Sequence, residues 1–452
     1  MKASGKGLSR RRFLRGAGTG AAVLTIVPRH VLGGPGKTAP SDKLNIAGIG
    51  VGGRGAHDVN AVAGENIVAL CDVDERRAGG TFKKYPKARR FVDFRKMLDE
   101  MHEGIDAVVV GTPDHTHAAA CMAALKRGKH VYCEKPLAHS IHEIRELRKA
   151  ARAAKAVTQV GNQGHSSGRI RSLCEWVRDG AIGEVTEVHA ACNAFGGAYS
   201  AVDKLDRLKE KHDVPKELDW DLWLGPARRQ AYHPMYVPTW WRAWMPFGTG
   251  RIGDWICHVV DPAFWALDLD APTAVKAETK GYDPKKHAQV WPPAVKVTYQ
   301  FPAKGKRGPV TLYWHDGTWP MPHPPCLEEK RNVPATGAIL IGRKGGITHG
   351  SHGAGGARLI PERNMRDYKP PEPTIPRVKG HHWDWLDAIR KGRAAGSSFD
   401  YGGRLTELAL LGVIAVRFPG QTLQWDAEKA RFTNCSEANE QINPPYRKGW
   451  KL

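Results

Sequence analysis

A glycine cluster followed by a lone carboxylate is the most explicit chemical pattern in the chain. Gly48, Gly50, Gly53 and Gly55 lie in GIGVGGRG, directly after the apolar run Leu44 to Ile49. Glycines there permit a tight turn and let backbone N–H groups approach a pyrophosphate, while the following helix aims its positive end at the same charge. The next apolar run, Ile67 to Cys71, ends in Asp72, 24 residues beyond Gly48 (72 − 48). That is close to the roughly 20 residues at which an acid reaches an adenosine ribose hydroxyl. Gly48, Gly50, Gly53, Arg54 and Asp72 are therefore the expected contacts of a dinucleotide. Asp72 favours NAD, because a carboxylate repels a 2′-phosphate. Arg54 and Arg76 are cations able to neutralise one, so NADP stays open.

A second pattern suits proton transfer. Asp254 and His258 stand four residues apart and share one face if helical. An imidazole titrating near neutrality accepts the proton of an alcohol as hydride leaves its carbon, and Asp254 would orient that imidazole or bond a neighbouring hydroxyl. Asp261 follows three residues later and either serves the same pocket or faces solvent.

The elements that must position these groups alternate. Phe82 to Phe91 reads as a basic connection, Asp93 to Met101 as a helix and Ile105 to Gly111 as a buried strand. That strand ends in Thr112-Pro113-Asp114-His115-Thr116-His117, before a helix from Ala118 to Arg127. Another strand, His130 to Cys133, runs into Glu134-Lys135-Pro136, and a helix from Glu143 to Ala154 leads to a strand from Val157 to Val160. Strands separated by helices imply a doubly wound parallel sheet whose ligands gather at the carboxyl ends of the strands. Thr112, Pro113, His117, Glu134 and Lys135 thus join the glycines and Asp72 around one crevice. His115 and His117 either line it or cap and pack the helix.

From Gly161 the pattern changes. Asn162, Gln163 and His165 form a polar loop where a sugar would meet the crevice, and a helix from Ser167 to Asp179 follows. Alternating residues from Val185 onward, and again from Lys276 to Trp314, suggest an open antiparallel sheet. Nine aromatics crowd Asp219 to Trp255, too many for one subsite, so most must be structural. Trp241 and Arg242 are the contacts expected from this stretch, one stacking on a sugar ring and the other bonding its hydroxyls. Residues 319–325 and 345–356 read as ordered loops, and residues 381–391 and 403–417 as amphipathic helices.

GIGVGGRG, TPDHTH, CEKP and the later GDWICH together resemble the Gfo/Idh/MocA family, whose members include glucose–fructose oxidoreductase and inositol dehydrogenase. The resemblance runs from about residue 43 to the end, and the tail is similar to a leader-bearing, secreted branch. It implies a Rossmann-like α/β domain followed by an α+β domain with an open, mainly antiparallel sheet. It also implies that Lys135 lies beside the nicotinamide and the substrate hydroxyl, where a neighbouring cationic ring and burial would lower its pKa toward proton transfer. Glu134 would bond cofactor ribose or orient Lys135. The last helices would pack back on the first domain, and the second-domain sheet would be a surface for homo-oligomers.

Residues 1–40 read as a twin-arginine export leader: Ser9-Arg10-Arg11-Arg12-Phe13-Leu14 precedes a mild apolar stretch too short to span a bilayer. The domains then fall at 41–160 and 161–452. Export to the periplasm, where no soluble nicotinamide pool reoxidises NADH, calls for a retained cofactor returned to its starting state each turnover. Removing the seven cations of residues 1–34 from the formal +22 leaves +15, scattered without the basic-aromatic interleaving of a nucleic-acid surface. No HExxH or CxxC occurs, His381 and His382 lie on different faces of any element, and His349 and His352 have no evident third ligand, so no catalytic metal is expected. Three functions fit: an exported oxidoreductase acting on a carbinol carbon of a sugar, polyol or glycoside; a redox-neutral, NAD-dependent glycosidase or lyase; and a non-catalytic sugar-binding protein. Partners would be the small sugar and the twin-arginine machinery, with no nucleic acid and no stable membrane span.

Overall fold

The computed structural model describes residues 42–193 and 198–452, so the leader expected at 1–40 lies outside the described residues. The first half alternates as expected. β1 (Asn45–Ile49) turns into α1 (Gly53–Ala61), β2 (Asn66–Cys71) into α2 (Glu75–Lys84), and a short β3 (Arg89–Phe91) into α3 (Phe94–Met101). β4 (Ala107–Val110), α4 (Asp114–Leu125), β5 (His130–Cys133), α5 (Ile141–Ala153) and β6 (Thr158–Val160) complete it. The order β3-β2-β1-β4-β5-β6, parallel throughout, is that of a dinucleotide-binding sheet. β4, Ala-Val-Val-Val, is wholly buried because helices cover both faces.

Local sequence sets the helix starts. The Asp74 and Asp93 side chains accept from the backbone N–H groups of Arg76 and Arg95, and Ser140 with Glu143 forms a reciprocal cap at α5. Two expectations need correction here. Residues 82–91 contain the edge strand β3, whose two arginines hid it. The helix expected from Ala118 begins at Asp114, which puts His115 and His117 in its buried first turn.

The second half starts with α6 (Gly168–Arg178) and β7 (Val185–Cys192), then a long aromatic insert, α7 (Gly250–Val259) and α8 (Asp261–Ala266). β8 (Ala274–Lys280), β9 (Ala294–Phe301), β10 (Val310–Gly317), β11 (Thr336–Gly342), β12 (Gly345–Gly350) and β13 (Arg358–Ile360) follow. Helices α9 (His381–Lys391) and α10 (Phe399–Ala415) precede β14 (Thr422–Asp426) and β15 (Arg431–Phe432). The nine-stranded order is β13-β12-β11-β7-β10-β9-β8-β14-β15, antiparallel except between β7 and β10. The loop expected at 345–356 is instead β12 paired to β11 and β13, its alternation masked by three glycines.

Both C-terminal helices reach back to the first sheet. Trp385 and Leu386 of α9 share a core with Ile46, Val51 and Tyr132. α10 packs on α5 and β6 on one side and α7 and β8 on the other. It is buried almost all round rather than amphipathic, as a helix between two layers must be. Gly412 lets Tyr299 and Ile252 approach its backbone, where a Cβ would overlap the tyrosine hydroxyl. The insert also crosses to the first sheet, forming a bridge between Asp74 and Leu218 and a bond from Asp219 N to Val73 O at 2.9 Å.

Candidate functional site

A crevice of about 520 Å3 lies at the carboxyl ends of β1, β2, β4 and β5 and is closed from the other side by the insert, α7 and the turn after β12. The glycine turn forms its floor, in a frame two residues later than expected. Gly50 turns the chain at φ +72°, and a Cβ on Gly55 would overlap the Gly50 carbonyl oxygen, so α1 can approach the strand only there. The working set is Gly50, Gly52, Gly53 and Gly55. Gly48 lies inside β1 against Val51, Val59 and Leu70 and does not reach the crevice; its expected cofactor contact is replaced by a packing role. α1 carries no side-chain cap on its first N–H groups, which leaves its positive end open to an anion.

Asp72 lines the crevice as expected, but its carboxylate also holds the turn. Oδ2 accepts from Val51 N at 2.8 Å and Gly52 N at 3.0 Å, and Oδ1 accepts from Asp74 N. Burial raises its pKa above the ordinary value despite these bonds. Neither arginine thought able to neutralise a 2′-phosphate is spare: Arg76 forks onto Asp74, and Arg54 engages Glu134 and Asp58, each at 3.1 Å. Arg77, which sequence reasoning passed over, lies across the mouth of the turn above Gly53. These features fit a bound NAD: the open helix end and Arg77 for its pyrophosphate, Asp72 for its adenosine ribose.

Deeper in, Thr112, Pro113, Glu134, Lys135, Trp241, Arg242 and His258 share the same cavity. Lys135 Nζ donates to the Asp254 carboxylate and, at 3.1 Å, to the Asp254 carbonyl. The other Asp254 oxygen accepts from Arg242 Nε at 3.2 Å and from the Tyr199 hydroxyl. Burial pushes the Asp254 carboxyl up, yet Lys135 and Arg242 outweigh it and hold it well below the ordinary carboxylate range. Burial likewise works to lower the Lys135 ammonium, but Asp254 and then Glu134 leave it above the ordinary lysine value. The expected lowering of Lys135 is thus reversed by a carboxylate the sequence had assigned elsewhere. Asp254 orients Lys135, not His258.

His258 is buried, its Nδ1 has no hydrogen-bond partner among the described residues, and burial followed by Lys135 holds its pKa well below the ordinary value. It is therefore a neutral imidazole able to accept a proton. Its ring stacks on His352 at 4.0 Å. Glu134 Oε1 accepts from Arg54 and from Gln163 Nε2 at 2.7 Å, and burial raises its pKa to about 7. Asp114 accepts from Thr249 N and Oγ1 at 3.0 and 2.7 Å, tying the start of α4 to the entry of α7.

Five residues weighed for the crevice lie elsewhere. His117 bridges the carbonyls of Thr112 and Pro136 at 2.8 and 2.7 Å, and His115 packs between Trp223 and Phe247; burial lowers the first to about 4 and the second to about 3. Asn162, His165 and Asp261 satisfy one another behind the crevice. Asp261 accepts from Asn162 Nδ2 at 3.1 Å and from the Tyr401 hydroxyl, and sits 3.1 Å from His165 Nδ1. Their polar side chains join α8 to β6 and α10, so they position the wall rather than touch a ligand. Of that polar loop only Gln163 lines the crevice, whereas Tyr199, Asp114 and His352 were missed, and only Asp114 sat in a motif that pointed to it.

Among the described residues one group has metal-ligand spacing, Glu210, His212 and His233, away from the crevice. His233 Nδ1 accepts from Met235 N at 3.1 Å, which places its proton on Nε2, the nitrogen facing the group. As arranged it offers hydrogen there, not a lone pair. All eight cysteines are unpaired.

Residues 44–162 match a family model described as the oxidoreductase family, NAD-binding Rossmann fold, and residues 169–306 match that family's C-terminal alpha/beta domain. Inositol 2-dehydrogenase of Rubrobacter xylanophilus is 38% identical over 104 residues, 22% of this chain and 29% of that protein. A glycosyl hydrolase family 109 protein of Shewanella pealeana is 31% identical over 158 residues, 30% of this chain and 35% of that protein. The chain therefore matches only about three-tenths of the length of such relatives. In three dimensions, an inositol dehydrogenase homolog of Azotobacter vinelandii complexed with NADH and myo-inositol superposes with a TM-score of 0.56 at 17% identity, covering 85% of this chain and 98% of that one. With both halves matched in order around an NAD-type turn, the chain belongs to the Gfo/Idh/MocA oxidoreductase family.

Proposed function

We propose that the protein is an exported NAD-dependent oxidoreductase that acts on a carbinol carbon of a sugar, polyol or glycoside and keeps its cofactor between turnovers. The observation that carries this is the meeting of Lys135 and His258, from opposite halves of the fold, in the cavity floored by the NAD-type glycine turn. NAD, when bound, supplies the hydride acceptor. Arg77 and the open end of α1 hold its phosphates, and Asp72 its ribose. Trp241 offers a ring face to a sugar, with Arg242 at 4.1 Å over that ring fixing its tilt. Lys135, kept protonated by Asp254, donates a hydrogen bond to the reacting hydroxyl and stabilises developing alkoxide charge. His258, kept neutral by burial, takes the proton.

Retention is supported by the walls around the adenosine end. Val92 and Phe94 from the first domain face Leu222 and Trp223 from the insert across the same cavity. The C-terminal tail ties these walls together, with Arg447 bonded to Asp221 at 2.9 Å and Trp450 under Arg95 at 4.4 Å. The leader motif at Ser9 to Leu14 supports periplasmic export of a folded, loaded protein. The open face of the nine-stranded sheet is the surface on which we place self-association.

Redox-neutral glycoside cleavage is the second reading, favoured by the likeness to the glycosyl hydrolase family 109 protein. There Lys135 and His258 would serve a transient oxidation that acidifies the neighbouring C–H before elimination. The test is nucleotide content: protein lacking residues 1–34 is dialysed, denatured and its released nucleotide quantified. Near-stoichiometric NAD or NADH agrees with retention; an empty protein refutes it. A free aglycone without net oxidation then selects the second reading.

A further inference from the structure

A base imidazole works only if its ring is fixed, and the usual device is a hydrogen bond from the nitrogen facing away from the substrate to a carbonyl or carboxylate. His258 lacks that device. Its Nδ1 is buried without a partner among the described residues, and the carboxylate one turn earlier, Asp254, is spent on Lys135, Arg242 and Tyr199. What touches the ring is other rings. His352 lies face to face with it, centroids 4.0 Å apart and planes within 18°. Trp255 meets both imidazoles edge-on, at 5.9 Å from His258 and 5.6 Å from His352.

His352 is delivered by a turn built for the purpose. It adopts φ 54°, ψ 55°, a left-handed conformation that costs any residue with a Cβ, and Gly353 and Ala354 continue at φ 89° and 60°. Such a run persists only where its surroundings enforce it. Here the backbones of Gly353 and Gly164 touch so closely that a Cβ on either would overlap the backbone of the other. The contact pins the turn after β12 to the segment after β6, and Ser351 Oγ meets His352 Nδ1 at 2.9 Å.

We infer that His352 is the positioning residue of His258, holding the base by ring stacking in place of the missing hydrogen bond. The inference rests on the reading of His258 as the proton acceptor. The charged groups facing the pair are Lys135, Arg54 and Asp254, and the two cations together with burial keep both imidazoles neutral, the state in which they stack without repulsion.

The test uses His352→Gly, which removes the ring while relieving the left-handed backbone, and His352→Phe, which keeps a flat ring. Imidazole NMR of histidine-labelled full-length protein, with His258 assigned by its loss in His258→Gln, reads the stack without any substrate. The ring-current displacement of His258 is expected to vanish in His352→Gly and persist in His352→Phe. With a sugar the parent turns over, His352→Gly should lower kcat on the order of 10²-fold with thermal stability held or raised, and His352→Phe should restore most of it. A His258 signal unchanged in His352→Gly, or a kcat equally low in both variants, overturns the inference. A parent that binds NAD yet turns over no sugar refutes the functional reading alone, and the NMR comparison still decides the stacking.

Discussion

Replacing Asp254 with asparagine tests the central electrostatic claim, that one buried carboxylate holds two cations in place. Asp254 is 5% exposed and its Arg242 contact is 3.2 Å. At an effective dielectric of about 20, each such pair is worth about 5 kcal/mol of gross attraction, which the cost of burying the charges largely offsets. Asp254→Asn removes the attraction and leaves Lys135 and Arg242 buried and facing each other, so the expected loss is about 3–5 kcal/mol. Lys135→Met is milder. It leaves Asp254 with Arg242 and Tyr199 and removes one charge-assisted bond, a loss of roughly 1.5–3 kcal/mol. In the double variant only Arg242 remains unpaired, so its loss should fall short of the sum by about 1–3 kcal/mol. Urea unfolding followed by tryptophan fluorescence measures all three. Asp254→Asn also lets burial and Arg242 push the Lys135 ammonium downward, so activity should become sensitive to pH on the alkaline side where the parent is flat. An Asp254→Asn variant no less stable than Lys135→Met, or losses that simply add, would refute the reasoning.

Asp114 is raised to about 7, first by burial and then by the Asp254 charge. A carboxyl raised on folding stabilises fully below its unfolded pKa, so this contribution is complete below about pH 4 and gone above pH 7, on the order of 4 kcal/mol across that window. Unfolding free energy of nucleotide-free protein should fall as pH rises through the window, and Asp114→Asn should flatten the fall; an unchanged slope contradicts the assignment. Gly55→Ala forces α1 off the Gly50 carbonyl, and isothermal titration should find NAD binding lost, whereas retention of NAD would restore the earlier glycine frame. Asp261→Asn should cost roughly 3 kcal/mol in stability through His165, Asn162 and Tyr401 while leaving KM for the sugar unchanged. A raised KM with normal stability would return these residues to the substrate.

Much of the fold was legible because its strands are continuous apolar runs ending in chemistry-bearing residues. Ala107 to Val110 and His130 to Cys133 have no other stable place than the middle of a covered sheet. What failed was local ambiguity. GIGVGGRG satisfies the glycine pattern in two frames, from Gly48 and from Gly50, and only the end of β1 at Ile49 chooses between them. β12 was invisible because Gly345, Gly346 and Gly350 carry no side chains to alternate, although their backbone pairs on both sides.

The site was legible as a set of residue types but not as a set of partnerships. Asp254 and His258 do stand one turn apart on α7, but only His258 lines the cavity, and Asp254 acts on it through Lys135 and Arg242. Spacing carries no information about which neighbour a carboxylate prefers, and a buried carboxylate gains far more from an ammonium than from a neutral ring. Lys135 arrives from the end of β5, 119 residues away, and takes the partner that His258 had been assigned. The same competition removed Asn162, His165 and Asp261 from the substrate, since polar side chains that can satisfy one another behind a wall do so. His258 is then left to ring contacts, and the nearer of them is one the sequence had no means of announcing, a ring carried on a left-handed turn in a glycine-rich stretch nearly a hundred residues later.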